Sequence, residues 1–222
     1  GIKLNAKGRL VVWCNGSRDP ELGPSDYLNT GHSLSGTHGT VYLFNADEQI
    51  VDSVDYGFQV SDLSIGRDKN GDWSLLSSPT PGKENKTPSM LASTTNLAIN
   101  EWMTNGRADD WIELHNPQPM PVRLDGLYLT DDLSLIGQTK FEIPALNYIA
   151  AGGFVKWIAD ADLAKGRDHV NFSLSSLGEP IALYSRTKSL LDKREISQTA
   201  PGESEGRLPD GASQISKFPT TP

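Results

Sequence analysis

Trp111-Ile112-Glu113-Leu114-His115 alternates along the chain, placing Ile112 and Leu114 on one side and Trp111, Glu113 and His115 on the other. That two-sided pattern is what a β-strand needs when one face meets a core and the other meets water. Working outward, the same kind of stretch recurs at Leu10–Cys14, Thr40–Phe44, Ile50–Tyr56, Leu97–Trp102, Gly126–Thr130, Phe154–Ala159, Ile181–Ser185 and Leu190–Ile196. Clusters of Gly, Pro, Asn and Asp separate these runs, and no segment carries apolar residues at the three-to-four spacing of an amphipathic helix. The sequence therefore predicts an all-β chain whose sheets pack face to face as a sandwich.

The 222 residues suffice for one large domain or two of about 100. With 21 glycines and 14 prolines the composition is rich in turns, and five tryptophans argue for a real core. A formal net charge of −8 repels phosphate backbones and anionic lipid, so nucleic acid is not expected as a partner. The single cysteine, Cys14, excludes an intrachain disulfide framework and a cysteine-rich zinc module. No apolar run approaches the ~18 residues that span a bilayer, so direct membrane insertion is not expected either. Gly1-Ile2-Lys3 opens no secretory leader, which predicts a chain that is mature or cut from something longer.

A repeat runs through the sequence. Ala6-Lys7-Gly8-Arg9-Leu10-Val11-Val12-Trp13 returns as Ala150-Ala151-Gly152-Gly153-Phe154-Val155-Lys156-Trp157, and Ser33-Leu34-Ser35 as Ser173-Leu174-Ser175. Val41-Tyr42-Leu43-Phe44 returns as Ile181-Ala182-Leu183-Tyr184, Val51-Asp52 as Leu191-Asp192, and Gly66-Arg67 as Gly206-Arg207. The turn at Asn70-Gly71 matches Asp210-Gly211, and Pro79-Thr80-Pro81 matches Pro219-Thr220-Thr221-Pro222. Order and spacing are kept, whereas Leu97 to Ile149 has no counterpart before the first copy. The expected organisation is a partial unit over residues 1–87, a linker over 88–96, and a complete unit over 97–222. The first unit then lacks the strands equivalent to Leu97–His115. Leaving roughly 500 Å² of its apolar face bare would cost about 12 kcal/mol, so it is expected to pack on the second unit or on another chain.

The second unit resembles the lamin tail domain, an immunoglobulin-like sandwich found in nuclear lamins and in large exported bacterial proteins. The resemblance is carried by Ala98-Ile99-Asn100-Glu101-Trp102, Trp111-Ile112-Glu113-Leu114-His115-Asn116, Leu124-Asp125-Gly126-Leu127-Tyr128-Leu129 and Phe141-Glu142-Ile143-Pro144. It continues through Ala151-Gly152-Gly153-Phe154-Val155 and Ser173-Leu174-Ser175-Ser176-Leu177-Gly178-Glu179. The first copy resembles only the latter half of the same domain. The resemblance implies a non-catalytic structural or protein-interaction module of an exported, cell-envelope protein, with no cofactor. Its partner would be a protein or cell-surface polymer, and self-association through the incomplete first unit is a further expectation. The alternative is an accessory carbohydrate- or peptide-binding module beside an enzyme.

The residues that offer chemistry are few. Trp13 and Trp157 are expected as packing anchors, whereas Trp102 and Trp111 are candidate ring platforms for a ligand. Asp109, Asp110 and Glu113, with Glu101 on the neighbouring strand, form the densest carboxylate group and a candidate binding or weak cation site. They sit at a hairpin loop, Asn105–Asp110, where Asp and Asn are ordinary turn residues. Asp68-Lys69-Asn70-Gly71-Asp72 begins like a calcium loop, but Trp73 stands where the sharp-turn glycine is required. His32, His38, His115 and His169 show no spacing that would seat two imidazoles on one metal. Gly31-His32-Ser33-Leu34-Ser35-Gly36 lacks the glycine and following helix of a nucleophile elbow. Cys14 reads as a small core residue, and Arg186, Lys188, Lys193 and Arg194 read as a solvated edge. No catalytic and no metal-ligating residues are assigned.

Overall fold

The computed structural model describes residues 4–23, 27–106 and 109–219. The chain is all-β, and among the described residues there are several sheets and two short 3-10 turns, at Thr94–Asn96 and Gly137–Thr139. In its first part the strands are Val12–Trp13 (β1), Leu28–Asn29 (β2), Gly39–Phe44 (β3), Ile50–Tyr56 (β4), Ser64–Arg67 (β5) and Trp73–Leu76 (β6). Next come Ala98–Met103 (β7), Trp111–His115 (β8), Val122–Arg123 (β9), Tyr128–Thr130 (β10), Phe141–Glu142 (β11) and Tyr148–Ile149 (β12). The last are Phe154–Ile158 (β13), Pro180–Tyr184 (β14), Leu190–Glu195 (β15), Ser204–Arg207 (β16) and Ile215–Phe218 (β17).

Two larger sheets, β11-β10-β14-β15 and β13-β8-β7-β16-β17, contribute side chains to one core. Ile112 and Leu114 lie in it as the alternation demands, against Trp102, Trp157, Leu129, Phe141, Ile181 and Leu183. Around the first part the sheets are small: β1-β2 is a parallel pair, and β3-β4 and β5-β6 are separate hairpins.

The two stretches that repeat in sequence make the same local bonds. The β3-β4 ladder shifts register between Leu43 and Phe44, and β14-β15 shifts between Leu183 and Tyr184. At the first hairpin Asn45 N–H donates to Gln49 O (2.9 Å) and Glu48 turns to φ +60; at the second Ser185 N–H donates to Ser189 O (2.8 Å) and Lys188 turns to φ +62. Gly71 (φ +88) and Gly211 (φ +72) supply the left-handed residue of the β5-β6 and β16-β17 hairpins, where a Cβ would be strained. Asp68 Oδ1 is occupied by the amides of Asn70 (2.8 Å) and Asp72 (3.1 Å), so the calcium-like run is a turn stabilised by its own carboxylate.

One sequence match moves by a residue. Gly8 N–H closes a turn onto Asn5 O (2.8 Å) as Gly153 N–H closes onto Ala150 O (3.1 Å). Thr30 N–H then bonds Trp13 O (2.8 Å) as Val170 N–H bonds Ile158 O (2.9 Å). Trp13 therefore corresponds to Ile158 and not to Trp157, and Cys14 corresponds to Ala159. The Trp13 side chain takes the outward position, 45% exposed and stacked on Tyr27 at 5.7 Å, whereas Trp157 is fully buried. The expectation of a packing anchor at Trp13 is corrected on that ground.

The first part is laced onto the second. Phe58 N–H donates to Asn147 Oδ1 (2.8 Å), Tyr148 N–H to Phe58 O (3.0 Å), and Gly57 N–H to Leu146 O (3.1 Å). The Phe58 ring stands edge-on to Trp157 at 4.8 Å, inside the main core. A second apolar cluster joins Tyr56, Val60 and Leu75 to Leu146 and Tyr148, whose hydroxyl accepts from Leu75 N–H (3.2 Å). The polar stretch between the two parts is also engaged: Ser77 N–H bonds Thr87 O, Ser89 N–H bonds Leu75 O and Ala92 N–H bonds Pro121 O.

Candidate functional site

Of the five residues singled out as a possible ligand site, the structure brings together fewer than the sequence suggested. β7 and β8 run antiparallel with Glu101 opposite Glu113, Trp102 opposite Ile112 and Met103 opposite Trp111. Trp102 thus shares the inner face with Ile112. It is fully buried, and its indole N–H donates to Glu205 Oε2 (3.1 Å). A ring held that way cannot serve as a platform for a ligand, which corrects the expectation for Trp102. Trp111 lies on the opposite, outer face, half-buried, with Lys156 Nζ 5.7 Å from its ring centre. Asp109 is exposed, while Asp110 is half-buried and immediately precedes β8. Burial and the neighbouring Asp109 push the Asp110 carboxyl up, and a bond from the Leu174 backbone amide opposes them. In the loop before it, residues 107 and 108 lie outside the described residues.

Glu113 anchors the polar part of that outer face. A bulge between Ile99 and Glu101 in the β7-β8 ladder leaves Asn100 bonded to two carboxylates: its Nδ2 donates to Glu113 Oε1 (3.0 Å) and Asp210 Oδ1 (3.0 Å), and its Oδ1 accepts from Gly211 N–H (3.0 Å). Ser204 Oγ donates to Glu101 Oε1 (2.6 Å). Burial raises the Glu113 carboxyl above its ordinary range, and the Asn100 amide pulls it back; Glu101 and Asp210 raise it further, against Lys156. Beside this group the His115 ring stacks on Phe154 at 4.4 Å, and burial lowers its basicity. The cluster joins the β16-β17 turn to β7 and β8, which makes these side chains structural mortar. Among the described residues no group of three His, Cys, Asp or Glu side chains is arranged to hold a metal ion.

The charged residues with the most structural work were not assigned any role from sequence. Asp192 Oδ2 accepts from Ile99 N–H (2.8 Å) and Arg207 (2.6 Å), and its Oδ1 from Arg194 (3.0 Å). Arg207 Nε donates to Ile99 O (2.8 Å). The matched pair of the first copy, Asp52 and Arg67, is also bonded (3.0 Å), but near half exposed. Asp160 receives Lys165 Nζ (2.7 Å), His169 Nδ1 (3.0 Å) and Asp162 N–H (3.1 Å). Burial alone would raise that carboxyl, but these three bonds outweigh it and hold it at about 2. The sequence signal for Asp192 and Arg207 was their recurrence at matched positions. The basic residues near the last hairpin are paired as well, Arg186 with Asp125, Lys193 with Glu195 and Arg194 with Asp192.

A different surface stands out on the first part. Val41, Tyr42, Leu43 and Phe44 on β3, with Ile50 and Val51 on β4, are each between 41% and 61% exposed. On the Val41 side of the hairpin a mostly apolar cleft of about 260 Å³ is lined by Leu34, Val41, Val54, Tyr56, Ile65 and Trp73, with the polar Ser35 and Gln59 among them. The counterparts Ile181 and Leu183 in the second copy are fully buried, and Leu174 and Ile196 nearly so.

Comparison with known protein families, curated proteins and solved structures returned no match.

Proposed function

We propose that this chain is a non-catalytic structural or protein-interaction module of an exported, cell-envelope type. On this reading residues 97–222 form one complete immunoglobulin-like sandwich of the lamin-tail kind, and residues 1–87 form the latter half of a second copy. The observation that carries the interaction role is unequal burial at matched positions: Val41 and Leu43 are 41% and 59% exposed, where Ile181 and Leu183 are fully buried. Exposed apolar side chains on both sides of one hairpin, Val41 and Leu43 on one and Tyr42 and Phe44 on the other, are the kind of surface used for contact. The tandem reading is supported by the coincident bulges, hairpin bonds and Asp–Arg pairs. Glu113, Asp160 and Asp192 are engaged in hydrogen bonds that join strands and turns. Self-association through the first unit is the simplest contact of this kind.

A second reading, an accessory carbohydrate- or peptide-binding module, is favoured by Trp111, whose half-buried outer-face ring lies near Lys156 and Glu113. A glycan array with the unmodified chain and Trp111→Ala separates the two. The module reading expects no saturable glycan binding and no turnover of glycoside or ester substrates. Glycan binding lost in Trp111→Ala would replace it with the second reading, and turnover would end both.

A further inference from the structure

We propose that the second unit is a load-bearing module, in which β7, β16 and β17 act as a clamp against tension between the chain entering at Leu97 and the chain leaving after Phe218. The inference rests on the structural-module reading above and names the work such a module does.

The strand directions set the geometry. β16 lies between β7 and β17 and runs antiparallel to both, with Trp102, Glu205 and Lys217 in one row and Glu101, Gly206 and Ser216 in the next. β7 and β17 are therefore parallel. The chain enters β7 at the end of the sheet where Arg207 meets Ile215, and leaves β17 at the opposite end, where Ser204 meets Phe218. Pulling on these two connections drives β7 and β17 in opposite directions past β16. Ladder bonds lie across the strands, so this motion loads them together, whereas pulling both strands from one end opens them one after another. Tension arriving through the first unit loads the contacts of Phe58 first, and reaches β7 once those and the bonds of residues 77–92 have let go.

Side chains extend the link between these strands beyond the two rows in which β7 and β16 pair. Ser204 Oγ donates to Glu101 Oε1 (2.6 Å), and Trp102 Nε1 donates to Glu205 Oε2 (3.1 Å). Arg207 Nε donates to Ile99 O (2.8 Å), while Asp192 Oδ2 accepts from Ile99 N–H (2.8 Å) and from Arg207 (2.6 Å). Both backbone groups of Ile99 are thus held by side chains. Asn100 adds bonds to Asp210 and Gly211 in the turn that joins β16 to β17. Gly206 lets β7 close in, since a Cβ there would stand 2.8 Å from Asn100 O. All four residues of β16 are buried although none has an apolar side chain, so water cannot replace a stretched bond until the strands have moved. Apolar packing would have filled the same space, but it is non-directional and yields to sliding. Directional bonds laid across the pull do not.

Single-molecule force clamping of the full chain tests this, with Cys14→Ser as background so that introduced cysteines are the handles. Handles at Asn96→Cys and Pro219→Cys load the clamp in shear. Handles at Asn96→Cys and Gln214→Cys pull the same strands from one end. At one fixed force the shear lifetime should exceed the other about tenfold or more. Asp192→Asn and Ser204→Ala should each shorten the shear lifetime about threefold or more and leave the one-ended lifetime within about twofold. Phe58→Ala weakens packing away from the clamp; it should lower resistance to urea and leave the shear lifetime within about twofold. Equal lifetimes in the two geometries overturn the proposal, as do shear lifetimes that follow urea stability across these variants instead of the position of the substitution. The module reading fails separately: it is lost on Trp111-dependent glycan binding, whatever the lifetimes are.

Discussion

The two matched ion pairs allow one chain to report what burial does to a salt bridge. Arg207 and Asp192 have side chains 6% and 12% exposed, whereas Arg67 and Asp52 are 46% and 49% exposed at the corresponding positions. Asp192→Asn removes the countercharge from a guanidinium shut away from water, and the remaining amide has only one acceptor oxygen for Ile99 N–H, Arg207 and Arg194. Breaking a buried pair from one side costs about 3–5 kcal/mol. The retained oxygen recovers part of that, so about 2–4 kcal/mol is expected. Asp52→Asn breaks a solvated pair, for which about 0–1 kcal/mol is expected. Urea denaturation of the full chain, followed by tryptophan fluorescence, measures both. Equal losses, or a larger loss for Asp52→Asn, would refute the argument that solvent exclusion sets the strength of this network. Raising the salt concentration gives a second reading: the Asp52→Asn difference should shrink, and the Asp192→Asn difference should persist.

Other expectations follow from the seam and from Asp160. Phe58→Ala removes a ring packed edge-on to Trp157 and should cost about 3–5 kcal/mol in the same denaturation assay; a cost under about 1 kcal/mol would mean that the ring does not anchor the first unit. Gly57→Ala puts a methyl group into the space of the Asn147 side-chain amide, displacing the acceptor of Phe58 N–H, and should lower stability by about 2 kcal/mol with a matching drop in Tm. The Asp160 carboxyl is held at about 2 against an ordinary 3.8, so its contribution is complete above about pH 4 and disappears as pH falls through 2. With partial screening this amounts to about 1–2 kcal/mol, and Asp160→Asn should flatten the stability profile between pH 5 and pH 2 by that amount.

Strands such as β3, β8, β14 and β15 were legible as short apolar or alternating runs bounded by turn residues, and the Asn-Gly and Asp-Gly turns told where two hairpins close. The same reasoning was blind to β16. Ser204, Glu205, Gly206 and Arg207 are all buried, yet none is an apolar side chain, so no hydrophobic pattern marks them. Their burial depends on partners that arrive from far along the chain: Glu101 for Ser204, Trp102 and Ser197 for Glu205, Asp192 for Arg207. Trp102 was misread for the same reason, since the carboxylate that accepts from its buried indole N–H, Glu205, arrives from far along the chain. The short strands β9, β11 and β12 have two residues each, too few for periodicity to show. At Trp13 the sequence match set the lone Gly8 on Gly152, one residue away from its structural counterpart Gly153. The turn bond to Asn5 O chose between them.

The lacing of Phe58 between Asn147 and Trp157 also determines how this polypeptide can be divided. A protein chemist trimming it at the polar stretch near Pro81 would obtain a C-terminal product whose largest ring had lost its neighbour and whose Asn147 had lost the amide it serves. Such a product would be sticky and poorly behaved despite containing every strand of its own two sheets. A more prudent excision carries residues 56–60 along, on a tether or as an added peptide, because Phe58 belongs to the same core as the strands that follow Leu97.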